Sequence, residues 1–218
     1  MVMFNFEDKN TNEYFDTRVF DNFFANPDEI ADIANTQSFA LSSGSFPGRR
    51  TTELGVCCSE LNQILLREIV KKNAELTGLS LTAYFQKIPN LSFDESHISI
   101  ENSGWIHTDN AIYSGVLYLN KDSHNYGGTS FYEPLKLTKN PDIDINHFKK
   151  QHYTNTEDVN IQEYRDSKLR YSALFEKTES IENIYNRLVL FDSKKWHSND
   201  TFVKDGSGER LTLIFFMG

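Results

Sequence analysis

Cysteine is scarce in this chain of 218 residues: there are two, Cys57 and Cys58, and they are adjacent. Adjacent cysteines rarely build a disulfide framework, and a thiolate metal site would need partners that the sequence does not supply. A reducing, cytoplasmic compartment is therefore expected. Long apolar runs are missing as well, so no membrane span is expected. The opening segment Met1–Lys9 has neither the apolar core of a secretory signal nor a transit-peptide composition. Positive charge is in deficit: 22 Lys and Arg against 31 Asp and Glu leave a net charge of -9. Such a surface repels a bare phosphate backbone unless a local basic patch overrides it, which argues against a nucleic-acid partner. Internal repeats and low-complexity tracts are also lacking.

The chain does have core-forming residues. Apolar residues make up 39% of it, with 17 Phe and 10 Tyr, enough for one domain over 1–218. The N-terminal third reads as mixed α/β. Residues 17–24 look like a strand, and a helix should follow, with Asn26 as cap, Pro27 in the first turn and Glu29 where a capping box places a carboxylate. A longer helix is expected from Ser59, as N-cap, to about Thr77, with Gly78 as its stop. Leu61, Ile64, Leu65, Ile69 and Leu76 would lie along one side and pack on a sheet. Beyond Leu81 the signals are mostly strands: 81–88, 97–101, 104–108, 112–119, 128–132, 187–192 and 210–217. This is a mainly β fold of the sandwich or barrel kind. Residues 134–185 break the pattern. They are polar and read as an insertion, helical in parts (for example 157–169), that either elaborates the surface or covers a site.

The chemistry concentrates in a few positions. His107 and Asp109 form an H-x-D pair, His197 follows 90 residues after His107, and Arg210 comes 13 residues after that. On an extended chain the two-residue spacing places His107 and Asp109 on one face. Two imidazoles and one carboxylate can take one face of an octahedral ion and leave positions open, an arrangement suited to non-haem Fe(II). His97, His124, His147 and His152 lack such a setting and read as structural or solvated. Along Arg210–Met217 the residues alternate, and Arg210, Thr212, Ile214 and Phe216 share one face. If that face lines a barrel, the Arg210 guanidinium needs an anionic partner, because burying it unpaired costs several kcal/mol. A dicarboxylate would serve with bidentate geometry, and the Thr212 hydroxyl could add a hydrogen bond. Tyr118 shares a face with Ser114 and Val116, and a buried phenol also needs a polar partner.

Taken together, His107-Thr-Asp109, Ser114-Gly-Val-Leu-Tyr-Leu-Asn120, Gly127-Gly-Thr-Ser-Phe131, Arg187-Leu-Val-Leu-Phe-Asp192, His197 and Glu209-Arg210-Leu-Thr212 resemble the prolyl-4-hydroxylase-like branch of the 2-oxoglutarate- and Fe(II)-dependent dioxygenases. The resemblance runs over residues 81–133 and 186–217. It implies a double-stranded β-helix, or jelly roll, backed by helices. It assigns His107, Asp109 and His197 to iron, and Arg210, Tyr118 and Thr212 to the 2-oxoglutarate co-substrate, with dioxygen as the oxidant and ascorbate as a candidate reductant. Asp109 argues for hydroxylation, because halogenating relatives lack that carboxylate. The implied substrate is a prolyl residue in a peptide or protein, and the alternative is a free amino acid or small metabolite. Two features depart from the compact pattern: the insertion at 134–185 and the turn Ser45–Arg50, where Arg49 or Arg50 could hold a substrate carboxylate. Two rival readings remain. One is a jelly roll that binds metal or sugar without turnover. The other is a zinc hydrolase on the same three ligands, which leaves Arg210 unexplained.

Overall fold

The computed structural model describes residues 17–94, 99–135, 143–154, 159–204 and 208–218. In chain order its elements are β1 (Arg18–Phe20), α1 (Pro27–Thr36), β2 (Ala40–Leu41), β3 (Arg49–Arg50), α2 (Leu54–Cys57), α3 (Ser59–Lys72), β4 (Leu81–Ile88), β5 (Tyr113–Tyr118), β6 (Thr129–Pro134), α4 (Ile145–Tyr153), α5 (Ile161–Ser172), β7 (Phe175–Ile181), β8 (Leu188–Asp192), β9 (Trp196–Asn199) and β10 (Arg210–Met217). The strands form two antiparallel sheets. One has seven strands in the order β1-β8-β5-β10-β4-β3-β2, and the other has three in the order β7-β6-β9. This is the jelly-roll arrangement the resemblance implied. None of the described helices is long and apolar enough to cross a membrane.

Strand alternation divides the large sheet into two differently used faces. Leu211, Leu213, Phe215 and Met217 of β10 point to one side, with Ala83 and Phe85 of β4, Leu117 of β5 and Leu188 and Leu190 of β8. There they meet Ile30 and Ala34 of α1, Leu54 of α2, and Leu61, Leu65 and Ile69 of α3. Each fully buried aliphatic side chain contributes roughly 1.5–3 kcal/mol by leaving water, so this helix-backed layer is the main source of stability. The opposite face looks toward the small sheet. Val116, Tyr118, Val189 and Phe191 meet Phe131 there in a smaller apolar cluster. Gly115 leaves room for an aromatic ring between the central strands. It pairs with Phe215, and a Cβ at that position would lie 2.1 Å from the Phe215 ring.

Several element boundaries differ from the sequence expectation. The helix beginning at Ser59 ends at Lys72, with Cys58 rather than Ser59 at the N-cap position. Asn73 stops it: its amide donates to the Ile69 carbonyl and its oxygen accepts from Arg18. A single 3-10 turn over Ala74–Leu76 then returns Leu76 to the core, and Gly78 takes its left-handed φ of 94° two residues later. The Asn26 side chain caps no backbone N–H of α1. The strand expected over 17–24 shortens to β1, because Asn22 turns the chain with φ 51°. In place of a strand over 97–101, Ile100–Asn102 forms a 3-10 turn, and residues 97 and 98 lie outside the described residues. The segment 104–108 contributes only an isolated bridge, His107 to His197.

Residues 134–185 include two helices and a strand. The strand, β7, pairs with β6. It went unread because its residues from Glu176 to Ser180 are exposed, so no face carries apolar residues. The helices bury an aromatic cluster against the His107 segment: Phe148, Tyr153, Tyr164 and Tyr171 surround Trp105 and Ile106. A directed hydrogen-bond chain runs through this cluster. The Trp105 indole N–H donates to the Tyr164 hydroxyl at 3.0 Å, and that hydroxyl donates to His152 Nδ1 at 2.9 Å. His152 Nε2–H donates to the Leu91 carbonyl at 2.7 Å. The directions are forced, because a carbonyl accepts only, which leaves Nδ1 as the acceptor of a neutral ring. His152 is therefore structural, as expected.

Burial outweighs the opposing bond to Leu91 and, with a smaller push from Lys168, brings the His152 pKa down to about 4. An unfolded histidine titrates near ~6.5. The folded state thus refuses a proton that the unfolded state takes below that pH. The associated stability is complete above ~6.5 and is lost as pH falls toward about 4. Urea melts between pH 7 and 4.5 should show a declining midpoint, and His152→Gln should flatten that decline. An equally steep acid limb in the variant would remove His152 as its cause.

Candidate metal centre

His107, Asp109 and His197 converge. Their ligand atoms all lie within 4.8 Å of one another. The convergence is enforced by backbone. His107 N–H donates to the His197 carbonyl at 3.0 Å, and His197 N–H returns a bond to the His107 carbonyl at 2.9 Å. The bridge sets the two imidazole centroids 4.4 Å apart. β9, on which His197 sits, pairs with β6 on its other side, with His197 opposite Phe131. Asp109 is tied across the gap by its own N–H, which donates to the Ser193 carbonyl at 2.8 Å.

The surrounding bonds orient all three side chains. Nδ1 of His107 lies 2.8 Å from the Trp105 carbonyl, and Nδ1 of His197 lies 2.9 Å from the Lys195 carbonyl. A carbonyl only accepts, so both Nδ1 atoms carry the proton and both Nε2 atoms are free to bind a metal. These Nε2 atoms face Asp109, at 3.6 Å from His107 and 3.3 Å from His197. The Ser114 hydroxyl donates to Asp109 Oδ2 at 2.7 Å and is itself 2.7 Å from Ser193 Oγ. The electrostatics match the protonation states a metal requires. Removal from bulk water, with help from His197 and Lys149, pushes the His107 pKa down to about 3, so its ring is neutral at pH 7. Burial acts to raise the Asp109 pKa, but the imidazoles of His197 and His107, whenever they hold a proton on Nε2, and the Ser114 hydroxyl outweigh it and hold the group below the usual carboxylate range.

A cavity of about 250 Å³ opens from this cluster between the two sheets. Arg210 reaches it from the first position of β10 and is 1% exposed. Its Nε donates to the Gly127 carbonyl at 3.1 Å, while its buried NH2 group has no partner among the described residues. Glycine is required at 127, because a Cβ there would fall 2.0 Å from the Thr201 carbonyl oxygen. Asn120 fixes the strand's start: its amide donates to the Glu209 carbonyl and its oxygen accepts from Leu211 N–H. Tyr118 and Thr212 pair across β5 and β10 but do not line the cavity. The Tyr118 hydroxyl lies 2.8 Å from Thr129 Oγ1, and its ring centre lies 5.4 Å from the Arg210 guanidinium carbon. The Thr212 hydroxyl is fully buried and has no partner among the described residues. Unsatisfied buried groups of this kind cost on the order of 1–3 kcal/mol each, more when charged. Arg210 and its neighbours are therefore built to receive an acceptor.

The two arginines of the Ser45–Arg50 turn part company. Arg49 makes a two-pronged bond to Glu209, at 2.7 Å to each oxygen, and is not in the cavity. Arg50 does line it, together with Phe46 and Pro47. Lys149 and Tyr153, both from α4, are lining residues that escaped the sequence reading. The polar composition of that segment carried no strand or motif signal. Ser114 and Thr129 were within reach, since both lie in the segments that carry the resemblance. Among the other histidines, His124 and His147 are exposed and His97 lies outside the described residues.

The centre fits a divalent ion with nitrogen and oxygen preference. Calorimetry with Ni(II) or Co(II) should show tight binding. Alanine at His107, Asp109 or His197 should weaken it about 100-fold or more. Ser114→Ala should weaken it about tenfold, as loss of a ligand-orienting bond does. Binding unchanged in the three alanine variants would rule out the centre.

Comparison with known proteins agrees with this architecture. No curated protein matches the chain. Among solved structures, a prolyl-4-hydroxylase from Pseudomonas putida is similar over 92% of this chain and 91% of its own, at 15% identity and a TM-score of 0.50. HygX from Streptomyces hygroscopicus, solved with nickel and 2-oxoglutarate bound, is similar over 93% of this chain and 82% of its own, at 11% identity and a TM-score of 0.56. The non-heme alpha-ketoglutarate-dependent epimerase SnoN, from nogalamycin biosynthesis, is similar over 93% and 77%, at 8% identity and a TM-score of 0.54. At such identities the likeness shows a common fold. One family description, "Family of unknown function (DUF6445)", matches residues 9–217.

Proposed function

The chain belongs to the DUF6445 family of unknown function, and we propose that it is a non-haem Fe(II) dioxygenase that couples oxidative decarboxylation of 2-oxoglutarate to hydroxylation of a substrate. The observation that carries this reading is the pairing of two features in one cavity: a two-histidine, one-carboxylate centre, and a buried Arg210 with an unmet donor. A metal centre alone would suit a zinc hydrolase or a binding protein. Neither needs a desolvated guanidinium in the same cavity. Iron held there would supply the activation of dioxygen, with 2-oxoglutarate as the two-electron reductant.

The residues divide the work. His107, Asp109 and His197 would hold the ion through one ligand atom each, an incomplete set that would leave room for co-substrate and oxygen. The Trp105 and Lys195 carbonyls keep both imidazoles in the metal-binding tautomer, and Ser114 steadies Asp109. Arg210 receives the distal carboxylate of 2-oxoglutarate as a charge-assisted pair, anchored from behind by Gly127. Tyr118, whose ring centre lies 5.4 Å from the guanidinium carbon, packs beside Arg210 behind the cavity wall. Val116, Phe191 and Ile214 line the cavity with apolar surface.

The cavity also bears on the substrate. Its volume of about 250 Å³ and its cover of α4 and the Ser45–Arg50 turn favour a free amino acid or small metabolite over a prolyl residue within a protein strand.

Succinate release from iron-loaded protein and 2-oxoglutarate tests the reaction. Turnover should vanish in His107→Ala and Asp109→Ala. Arg210→Ala should raise the KM for 2-oxoglutarate about 10- to 100-fold, the effect of losing a charge-assisted bond. Turnover unchanged in all three variants, or absent from the wild-type protein, would reject the assignment.

A further inference from the structure

Arg50 and Lys149 both line the cavity, one from β3 and the other from α4. Arg50 lies on β3, paired with Gln86 of β4, and the Gln86 amide holds the preceding turn by donating to the Pro47 carbonyl at 2.8 Å. The Phe46 ring lies against the guanidinium, 3.9 Å from its central carbon. Stacking fixes the plane of an arginine and leaves its N–H edges free. The Arg50 Nε is buried and without a partner, and the guanidinium makes no hydrogen bond or ion pair with any described residue. Lys149 projects from α4, and its ammonium is likewise unpaired among the described residues while lining the same cavity. The two supports touch at Gly44, where φ is 108° and a Cβ would come within 2.6 Å of the Lys150 Cα.

The charges do not balance without a further anion. Among the lining residues Asp109 is the one carboxylate, facing Arg50, Lys149 and Arg210. It is the acidic counter-charge that acts on both Arg50 and Lys149. Burial lowers the pKa of each cation, that of Arg50 to about 10. With an iron(II) dication on Asp109 and a 2-oxoglutarate dianion on Arg210, the centre is neutral. Arg50 and Lys149 then keep two positive charges with no partner, in a place where unpaired charge is costly.

We propose that Arg50 and Lys149 form a second anion-binding point, separate from Arg210, which takes a carboxylate of the substrate, so that the substrate is a small free acid and not an internal residue of a polypeptide. The inference rests on the dioxygenase reading of the cavity. Arg49, turned away to Glu209, has no part in it. The aromatic surfaces of Phe46, Trp105, Tyr153 and Phe216 suit an acid with an apolar or ring-bearing body.

Thermal shift and calorimetry on the Ni(II)-loaded protein, with and without saturating 2-oxoglutarate, test this. The probes are benzoate against benzamide and L-proline against L-prolinamide, with a C-terminally amidated prolyl decapeptide as comparison. At least one carboxylate should bind tenfold or more tightly than its carboxamide and more tightly than the decapeptide. That preference should disappear in Arg50→Gln and Lys149→Gln and return in part in Arg50→Lys. Both glutamine variants should still be stabilised by 2-oxoglutarate, whereas Arg210→Gln should not. No carboxylate preference in the wild-type protein would overturn the proposal, as would a preference that survives both glutamine variants. Loss of the 2-oxoglutarate response in Arg50→Gln would also overturn it, by assigning Arg50 to the co-substrate. A wild-type protein that ignores 2-oxoglutarate but keeps an Arg50-dependent carboxylate preference would sink the dioxygenase reading and leave the anion-binding point standing.

Discussion

The reciprocal backbone bond between His107 and His197 is the constraint on which the rest of the site depends. Two residues far apart in sequence exchange N–H donors and carbonyl acceptors, and the exchange holds their backbones side by side. The jelly roll makes the exchange possible by running β9 beside the His107 segment, with β6 on its other side. Behind that segment, Tyr164 bonds Trp105 and Tyr171 donates to the Ile106 carbonyl at 3.1 Å. The helices of residues 134–185 therefore do more than cover a surface. They hold the chain that presents the first ligand and supply Lys149 and Tyr153 to the cavity.

A second constraint is polar and sits at the start of β10. The stability of the large sheet comes from its helix-backed face, so its inner face can carry groups that work against stability. Arg210 is almost wholly buried with one donor unmet, and Thr212 is buried with its hydroxyl unmet. A fold selected for stability alone would replace both with aliphatic residues. Under the proposed function, a ligand that brings its own acceptors would meet the unmet donor of Arg210.

The legible part of the molecule was the part governed by period-two alternation. β4 and β10 were expected at 81–88 and 210–217 and occur over those spans, because each has one face in the helix-side core and one toward the cavity. The same alternation pointed Arg210 inward. His107 and Asp109 were legible because two-residue spacing on extended chain needs no knowledge of the rest of the fold. β7 was not legible, since a solvated strand has no buried face to mark it. The end of α3 was misplaced because Asn73 stops it through side-chain bonds that the helical pattern does not reveal. Lys149 was out of reach for a deeper reason. A lysine on a polar helix reads as solvated, and only the packing of α4 brings it to the cavity. The same packing separates Arg50 from Arg49, which are indistinguishable neighbours in sequence.

The central claim is that one cavity binds a ferrous ion through His107, Asp109 and His197 and a keto-diacid alongside it. Anaerobic addition of Fe(II) and then 2-oxoglutarate, followed by visible absorption, tests it most directly. The account predicts a weak charge-transfer band that needs both additions and is missing from His197→Ala. A spectrum that stays featureless, or a band that persists without those ligands, would contradict it.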